Sequence, residues 1–434
     1  MKPSYIKTAL KKTVFSMERD PKDFTQRPER DFSRKRKISF SDLIFCTLSM
    51  EDHSLNRELR HFFSEYKANI PTKSAFVQQR KKLNDKAFPH LFKTINSILP
   101  FKKKYKGLHL LACDGSDIDI PPLKQDYETY VPSNTPGVGS HQVHLNALYD
   151  ILEERYTDVV IQKSTMVDER EALIEMASRN KLSGKCMFIA DRGYFSTNLI
   201  AHLLHAEQFF LLRMNAPQCR NSFLKRFSLP TDNEFDQGIT IKVTRKSSDF
   251  HLSHPSDYYV ARKSRPFDLI PVDDKDSYFE LSFRVIKIEL QDSCEYLLTN
   301  LPAKSFSLRE LKDLYHMRWG IETSFRYLKY NVALTSFHSV LRDFIFQEIY
   351  ARLILYNITM LLVNSVKLPK KDLKYVRKIS VSDAVVTCRY FLIHRLTNEY
   401  IKELLLKYLT DIRPNRSFPR KIRSKRFVPL TNRT

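Results

Sequence analysis

The chain has 434 residues, with 72 Lys plus Arg against 49 Asp plus Glu and a formal net charge of +23. That excess of cations points to a polyanionic partner, nucleic acid ahead of a membrane surface. Only 8 glycines occur, in neither G-x-x-x-x-G-K-[ST] nor G-x-G-x-x-G, which excludes phosphate-cradling nucleotide loops, and six scattered cysteines without a C-x-x-C pair exclude a zinc ribbon or disulfide framework.

Residues 1–104 read as a helical DNA-binding domain. The N-terminal "MKPSYIKTALKKTVFSMERD" lacks the apolar core of a signal peptide, so a cytoplasmic, nucleoid-associated protein is expected. In "DFSRKRKISFSDLIFCTLSM" a cationic cluster, Arg34 to Lys37, precedes an apolar-periodic helix whose N-cap is Ser39 or Ser41. Further on, Arg80, Lys81 and Lys82 fall together on a predicted helix, which suits phosphate contacts along a duplex; the alternative is a solvated face.

The pattern changes at Lys106. "GLHLLACDGSDIDIP" is an apolar strand running into acidic residues, and "HQVHLNALYD" and "YTDVVIQKS" suggest an antiparallel hairpin. "DEREALIEMASRNKL" predicts a helix capped by Asp168, "KCMFIADRGYFS" a strand ending in Asp191, then a helix near Asn198 to His205 and a strand over Gln208 to Arg213. Strand, strand, strand, helix, strand, helix, strand is the order of an α/β, RNase H-like catalytic core. Its first and fourth strands adjoin, which would unite Asp114 and Asp191 across 77 positions. Asp117 and Asp119 rival Asp114, which is favoured because it sits at the expected strand end before the small Gly115 and Ser116.

On this reading residues 105–215 form the first part of the core, 216–300 a β-rich insertion, 301–365 the remainder of the core, and 366–434 a helical C-terminal region with a basic tail. The tail from Arg413 carries eight basic and no acidic residues, as expected for sequence-independent phosphate affinity. "YARLILYNITMLLVNSV", from Tyr350, is the most apolar stretch; Arg352, Asn357 and Asn364 interrupt it, so a buried helix is expected rather than a membrane span.

In "YHMRWGIETSFRYLK", Tyr315, Arg318, Glu322 and Lys329 fall within an arc of roughly 60° on a helix turning about 100° per residue. Leu314, Ile321, Phe325, Leu328 and Val332 form the adjoining apolar arc. The plain alternative is a surface helix with Arg318 and Glu322 as an i,i+4 pair. Three carboxylates, Asp114, Asp191 and Glu322, converging at strand ends and on one helix would suit two Mg²⁺ or Mn²⁺ ions, which take oxygen ligands and keep positions open for water and phosphate. An Arg fork, a Lys charge and a Tyr hydroxyl beside Glu322 could clamp a DNA phosphate, and Trp319 could stack on an unpaired base.

Taken together, "ACDGS", "IADRGYFS" and the spacing Y-x-x-R-x-x-x-E-x-x-x-x-x-x-K resemble the DDE transposases of bacterial insertion sequences with the Y-R-E-K signature, the insertion-sequence-four family. The resemblance runs from about Phe32 to Leu341 and includes "SAFVQQRKKL" and "SFHSV". It implies a metal-binding triad of Asp114, Asp191 and Glu322, with Tyr315, Arg318 and Lys329 holding phosphates near the transposon end. It also implies a homodimer in a synaptic complex with double-stranded DNA, both terminal inverted repeats and target. Cut-and-paste members nick, form a hairpin and transfer the reopened end, commonly using a Trp in the β-insertion to hold a flipped base; this insertion has no Trp, and Tyr296 is the expected substitute. Two other functions compete: a catalytically inactive DNA-binding regulator descended from a transposase, and a stand-alone nuclease.

Overall fold

The computed structural model describes residues 1–34, 36–66, 70–122, 127–132, 139–262, 267–290, 293–368, 375–394 and 396–412. The expected basic tail lies outside them, as does Lys35 of the first cationic cluster. Five helices lead: α1 (Pro3–Arg19), α2 (Phe40–Ser49), α3 (Leu55–Tyr66), α4 (Lys73–Arg80) and α5 (Ala87–Ile98). Ser39, not Ser41, caps α2, through a reciprocal box in which the Ser39 hydroxyl accepts from the Asp42 amide and the Asp42 carboxylate accepts from the Ser39 amide.

Strands β1 (His109–Ile120), β2 (Tyr130–Val131), β3 (Ser140–Asp150) and β4 (Arg155–Lys163) follow, then α6 (Glu169–Ser178), β5 (Cys186–Ala190), α7 (Thr197–His205) and β6 (Phe209–Met214). β1, β3 and β4 pair antiparallel, whereas β1, β5 and β6 pair parallel. The resulting order β4, β3, β1, β5, β6 is the RNase H-like arrangement. All five residues of β5, "CMFIA", are buried, as a central parallel strand covered on both faces requires. Alternate residues enter opposite cores: Leu111, Phe188 and Ala190 pack with α6 and α7, while Leu110, Met187 and Ile189 pack with Leu311, Leu314 and Tyr315.

Beyond β6, the chain adds β7 (Phe235–Thr244), α8 (Asp249–Ser253), β8 (Tyr258–Val260), β9 (Tyr278–Glu289) and β10 (Cys294–Thr299). These strands continue the same sheet, because β10 pairs antiparallel with β6, Tyr296 opposite Met214. Next come α9 (Leu308–Met317), α10 (Trp319–Tyr330), α11 (Arg342–Asn364), β11 (Val376–Ile379), α12 (Val381–Ile393), α13 (Asn398–Lys407) and β12 (Leu409–Ile412).

The apolar stretch around Tyr350 forms the middle of α11, buried on nearly every side. Among the described residues no helix is long and apolar enough to cross a membrane. The polar interruptions of α11 are docking points. Asn357 accepts from the Tyr156 amide at 2.9 Å and donates to the Tyr156 carbonyl at 2.8 Å, so its side chain continues the pairing of strand β4. Asn364 donates to the Glu153 carbonyl at 2.9 Å, and Arg352 donates to the carbonyls of Met50 and Glu51. One continuous apolar core joins Phe40, Ile44, Phe63 and Phe92 of the leading helices to Ile345, Ile349 and Leu353 of α11.

Candidate functional site

β1 does not stop at Cys113. Its parallel pairing with β5 ends at Ala112 opposite Ile189, but antiparallel pairing with β3 runs on from Asp114 opposite Ala147 to Ile120 opposite His141. Asp114 therefore sits where the sheet divides, on a strand held from one side only, and Asp191 follows directly on the last residue of β5. The Gly115 amide donates to Asp114 Oδ1 at 3.0 Å and the Gly193 amide to Asp191 Oδ1 at 2.8 Å.

The expected single helix is two. α9 and α10 meet at Arg318, whose amide donates to the Tyr315 carbonyl and whose carbonyl accepts from the Ile321 amide, each three residues away, so the chain tightens for one turn at the junction. This junction aims Arg318 inward: Nη2 is 2.8 Å from Glu322 Oε1 and Nη1 is 3.7 Å from Asp114 Oδ2. The guanidinium thus stands between two members of the triad, with Asp191 close enough to act electrostatically on Asp114.

Burial pushes the Asp114 carboxyl up to about 6; Arg318 and the Gly115 amide oppose the rise, while Glu322 and Asp191 add to it. Among the described residues the one group of three potential ligands packed within 4.8 Å is Glu51, Asp52 and His53, so the triad oxygens are more widely spaced than that. An all-carboxylate donor set that already draws in one guanidinium fits a hard divalent cation.

The raised Asp114 value has a stability consequence. The unfolded carboxyl ionises near 3.8 and the folded one near 6, so the folded chain binds more protons between these values and loses stability as pH rises through that window. Above about 6 the penalty is complete, about 3 kcal/mol at most for a shift of this size. Asp114→Asn is therefore expected to raise the stability of the metal-free protein at pH 7.5 by about 1–3 kcal/mol, with the gain shrinking towards pH 4, as urea unfolding at the two pH values would measure.

Tyr315 is buried against Arg318, whose guanidinium carbon lies 5.8 Å from the centre of its ring. Burial raises the phenol, against the opposing charges of Arg318 and Arg213. Lys329 lies further along α10 and donates to the Asp117 carbonyl at 2.7 Å, tying the helix to β1. Trp319, at the start of α10, is 50 % exposed, with its ring 5.9 Å from the Arg318 guanidinium.

Two expectations need correction. Tyr296 is 6 % exposed within β10, its ring edge-on to Phe235 at 6.3 Å, so it offers no face to a flipped base. Arg80 is 1 % exposed and belongs to the interior: Nε donates to Gln347 at 2.8 Å, Nη1 to Glu348 at 2.9 Å and Nη2 to the Phe344 carbonyl at 2.8 Å. All three nitrogens are engaged inside the protein, out of reach of a phosphate. Lys81 is exposed and Lys82 half-buried, and Lys82 Nζ lies 5.5 Å from the Phe32 ring, beside the loop carrying the exposed Arg34, Arg36 and Lys37.

Sequence reasoning passed over Arg213 and Glu169. Arg213, next to last in β6, acts electrostatically on Tyr315 and pairs with the buried Glu295 at 3.3 Å. Glu169 opens α6 beside the Asp191 turn. The signal for Glu169 was its place directly after the cap Asp168, which fixes where the helix meets the sheet edge.

Fold and site together define an RNase H-like protein with a carboxylate cluster at the carboxyl ends of its parallel strands. The chain belongs to the transposase DDE domain family, whose model matches residues 106–358, more than half of its length. No curated protein matched it in a sequence search. Among solved structures it is similar to a piggyBac transposase synaptic complex with hairpin DNA, at 10% identity and a TM-score of 0.47, over 96% of this chain and 87% of that one.

Proposed function

We propose that this chain is a DNA transposase of the insertion-sequence-four type, carrying the Y-R-E-K set, that binds the terminal inverted repeats of its element and performs cut-and-paste strand cleavage and transfer. The observation that carries this reading is the approach of Asp114, Asp191, Glu322 and Arg318 within a transposase DDE domain. Asp114, Asp191 and Glu322 would hold two Mg²⁺ or Mn²⁺ ions, which when bound supply activation of the attacking oxygen and stabilisation of the leaving one. Arg318, drawn between two carboxylates in the protein alone, is free to turn its fork to a phosphate once cations neutralise them. Tyr315 and Lys329 flank the same phosphate path. Trp319 is the exposed aromatic beside the triad and takes the base-stacking part first given to Tyr296. Lys81 and Lys82, with the exposed Arg34, Arg36 and Lys37, extend the cationic track along the duplex. A homodimer would bring two element ends together with target DNA, in a cytoplasmic, nucleoid-associated protein.

Incubation of the full-length protein with end-labelled DNA carrying the terminal repeat of its element, with Mg²⁺ or with EDTA, tests this reading. A nick at the repeat end that needs Mg²⁺ is expected. Tight repeat binding with no metal-dependent cleavage would leave the catalytically inactive regulator as the function.

A further inference from the structure

Behind Asp114 and Asp191 lies a second polar chain that the proposed mechanism does not use. His144, on β3 opposite Asp117, approaches Asp117 Oδ1 with Nδ1 at 2.8 Å and Glu169 Oε1 with Nε2 at 3.1 Å. Burial alone would lower the imidazole, but the two carboxylates outweigh it and hold it up at about 9, so both ring nitrogens donate. Glu169 is thereby fixed by one oxygen. Its other oxygen, Oε2, flanks Gly193 together with Asp191 Oδ1: a Cβ built on that glycine would lie 3.6 Å from the first and 3.1 Å from the second.

Two glycines make room for this arrangement. A Cβ on Gly115 would meet His144 Nε2 at 2.3 Å and Glu169 Oε1 at 2.5 Å, contacts no side chain tolerates. Neither Gly115 nor Gly193 has a positive φ, so at Gly115 space rather than backbone conformation calls for glycine, while at Gly193 the tight contact is with the Asp191 carboxylate itself. Arg170 Nε donates to the Gly193 carbonyl at 3.0 Å, so the first turn of α6 grips the Asp191 turn from two residues. Next to them the buried Tyr194 hydroxyl hydrogen-bonds to the Cys113 thiol, beside Asp114 and Glu169.

We infer that Glu169 is a fourth carboxylate of the catalytic centre, a positioning residue that His144 and Asp117 hold beside Asp191 so that Oε2 supports divalent-cation binding on that side. This rests on the proposed metal-dependent function. A carboxylate in this position acts through the water and ligands around the ion, and loss of such an outer partner typically lowers metal affinity by about 10–100-fold.

Calorimetric titration of Mn²⁺ into the full-length, DNA-free protein tests the inference with Glu169→Gln, whose carbonyl can still accept from His144. A loss of Mn²⁺ affinity of about 10–100-fold with unchanged urea midpoint is expected, together with a matching rise in the Mg²⁺ concentration for half-maximal nicking and partial recovery in Glu169→Asp. Wild-type affinity in Glu169→Gln, with or without a lower urea midpoint, would show a strut of the fold and overturn the inference. If Glu169→Gln does not fold, Glu169→Asp alone decides, since moving the carboxylate by one methylene must still weaken Mn²⁺ binding. Asp114→Asn separates the two levels. Loss of binding there with none in the Glu169 variants removes only the fourth carboxylate, whereas no Mn²⁺ uptake by the wild type removes the metal-dependent function as well.

Discussion

Glu322→Gln is expected to slow nicking at the repeat end by about 10³-fold at saturating Mg²⁺, equivalent to about 4 kcal/mol of transition-state stabilisation, while repeat binding changes by less than a few fold. The substitution is chosen for what it keeps. Glutamine fills the same volume on α10, and its carbonyl oxygen can still accept from Arg318 Nη2, now 2.8 Å from Glu322 Oε1. The apolar stripe of Ile321, Phe325 and Leu328, which seats the helix in the core, is untouched. What disappears is one negative charge from a group of three, and a hard cation is held by charge as much as by geometry. Gel-shift and single-turnover nicking measurements on the same preparation separate binding from chemistry. Parallel loss of binding and cleavage would mean that Glu322 organises the DNA surface and is not a ligand; unchanged cleavage would remove it from the triad.

Much of this fold could be read from the chain because its signals are local. The cap at Asp168, the hairpin of β3 and β4 and the all-apolar β5 each follow from a few neighbouring residues. What escaped depends on partners far away in sequence. The length of β1 beyond Asp114 is set by β3 pairing after β5 has ended, and no feature of "CDGSDIDI" itself states which neighbour persists. Arg80, Lys81 and Lys82 looked like one cationic cluster, yet α4 ends at Arg80, and successive helical positions point about 100° apart. One arginine could therefore enter the core while the lysines stayed out, and the residues that receive it, Gln347 and Glu348, are more than 260 positions further on. Tyr296 was misjudged for the same reason: β10 is enclosed between β6 and β9, a placement that "CEYLLTNL" does not carry.

The buried cluster around Arg80 leads to the largest expected effect on stability. Glu348 receives Arg80 on one oxygen at 2.9 Å and His338, through its amide and Nδ1, on the other at 3.1 Å; His338 Nε2 in turn lies 3.7 Å from Glu58. Burial pushes the Glu348 carboxyl up, but Arg80 and His338 overcome it and hold it down at about 2. His338 is raised, because Glu348 and Glu58 outweigh its burial. The glutamate contributes stability that is full above about 4.5 and lost as pH falls through about 2. The histidine contributes stability that is full below 6.5 and lost as pH rises through its higher folded value. Their joint contribution therefore peaks between about 4.5 and 6.5. Glu348→Gln strands Arg80 in the interior without its paired anion and leaves His338 with Glu58 alone, and breaking a buried pair from one side costs about 3–5 kcal/mol. Replacing Arg80 with Met at the same time removes the stranded charge. The double variant Arg80→Met with Glu348→Gln is accordingly expected to be more stable than Glu348→Gln alone, and the four urea midpoints measure that coupling. The pair joins α4 to α11, and α11 holds β4 through Asn357, so loss of Glu348 should loosen the leading helices and the sheet edge together, as one unfolding transition in place of two. Two separated transitions, or additive single effects, would show that the cluster fills space without binding the leading helices to the core.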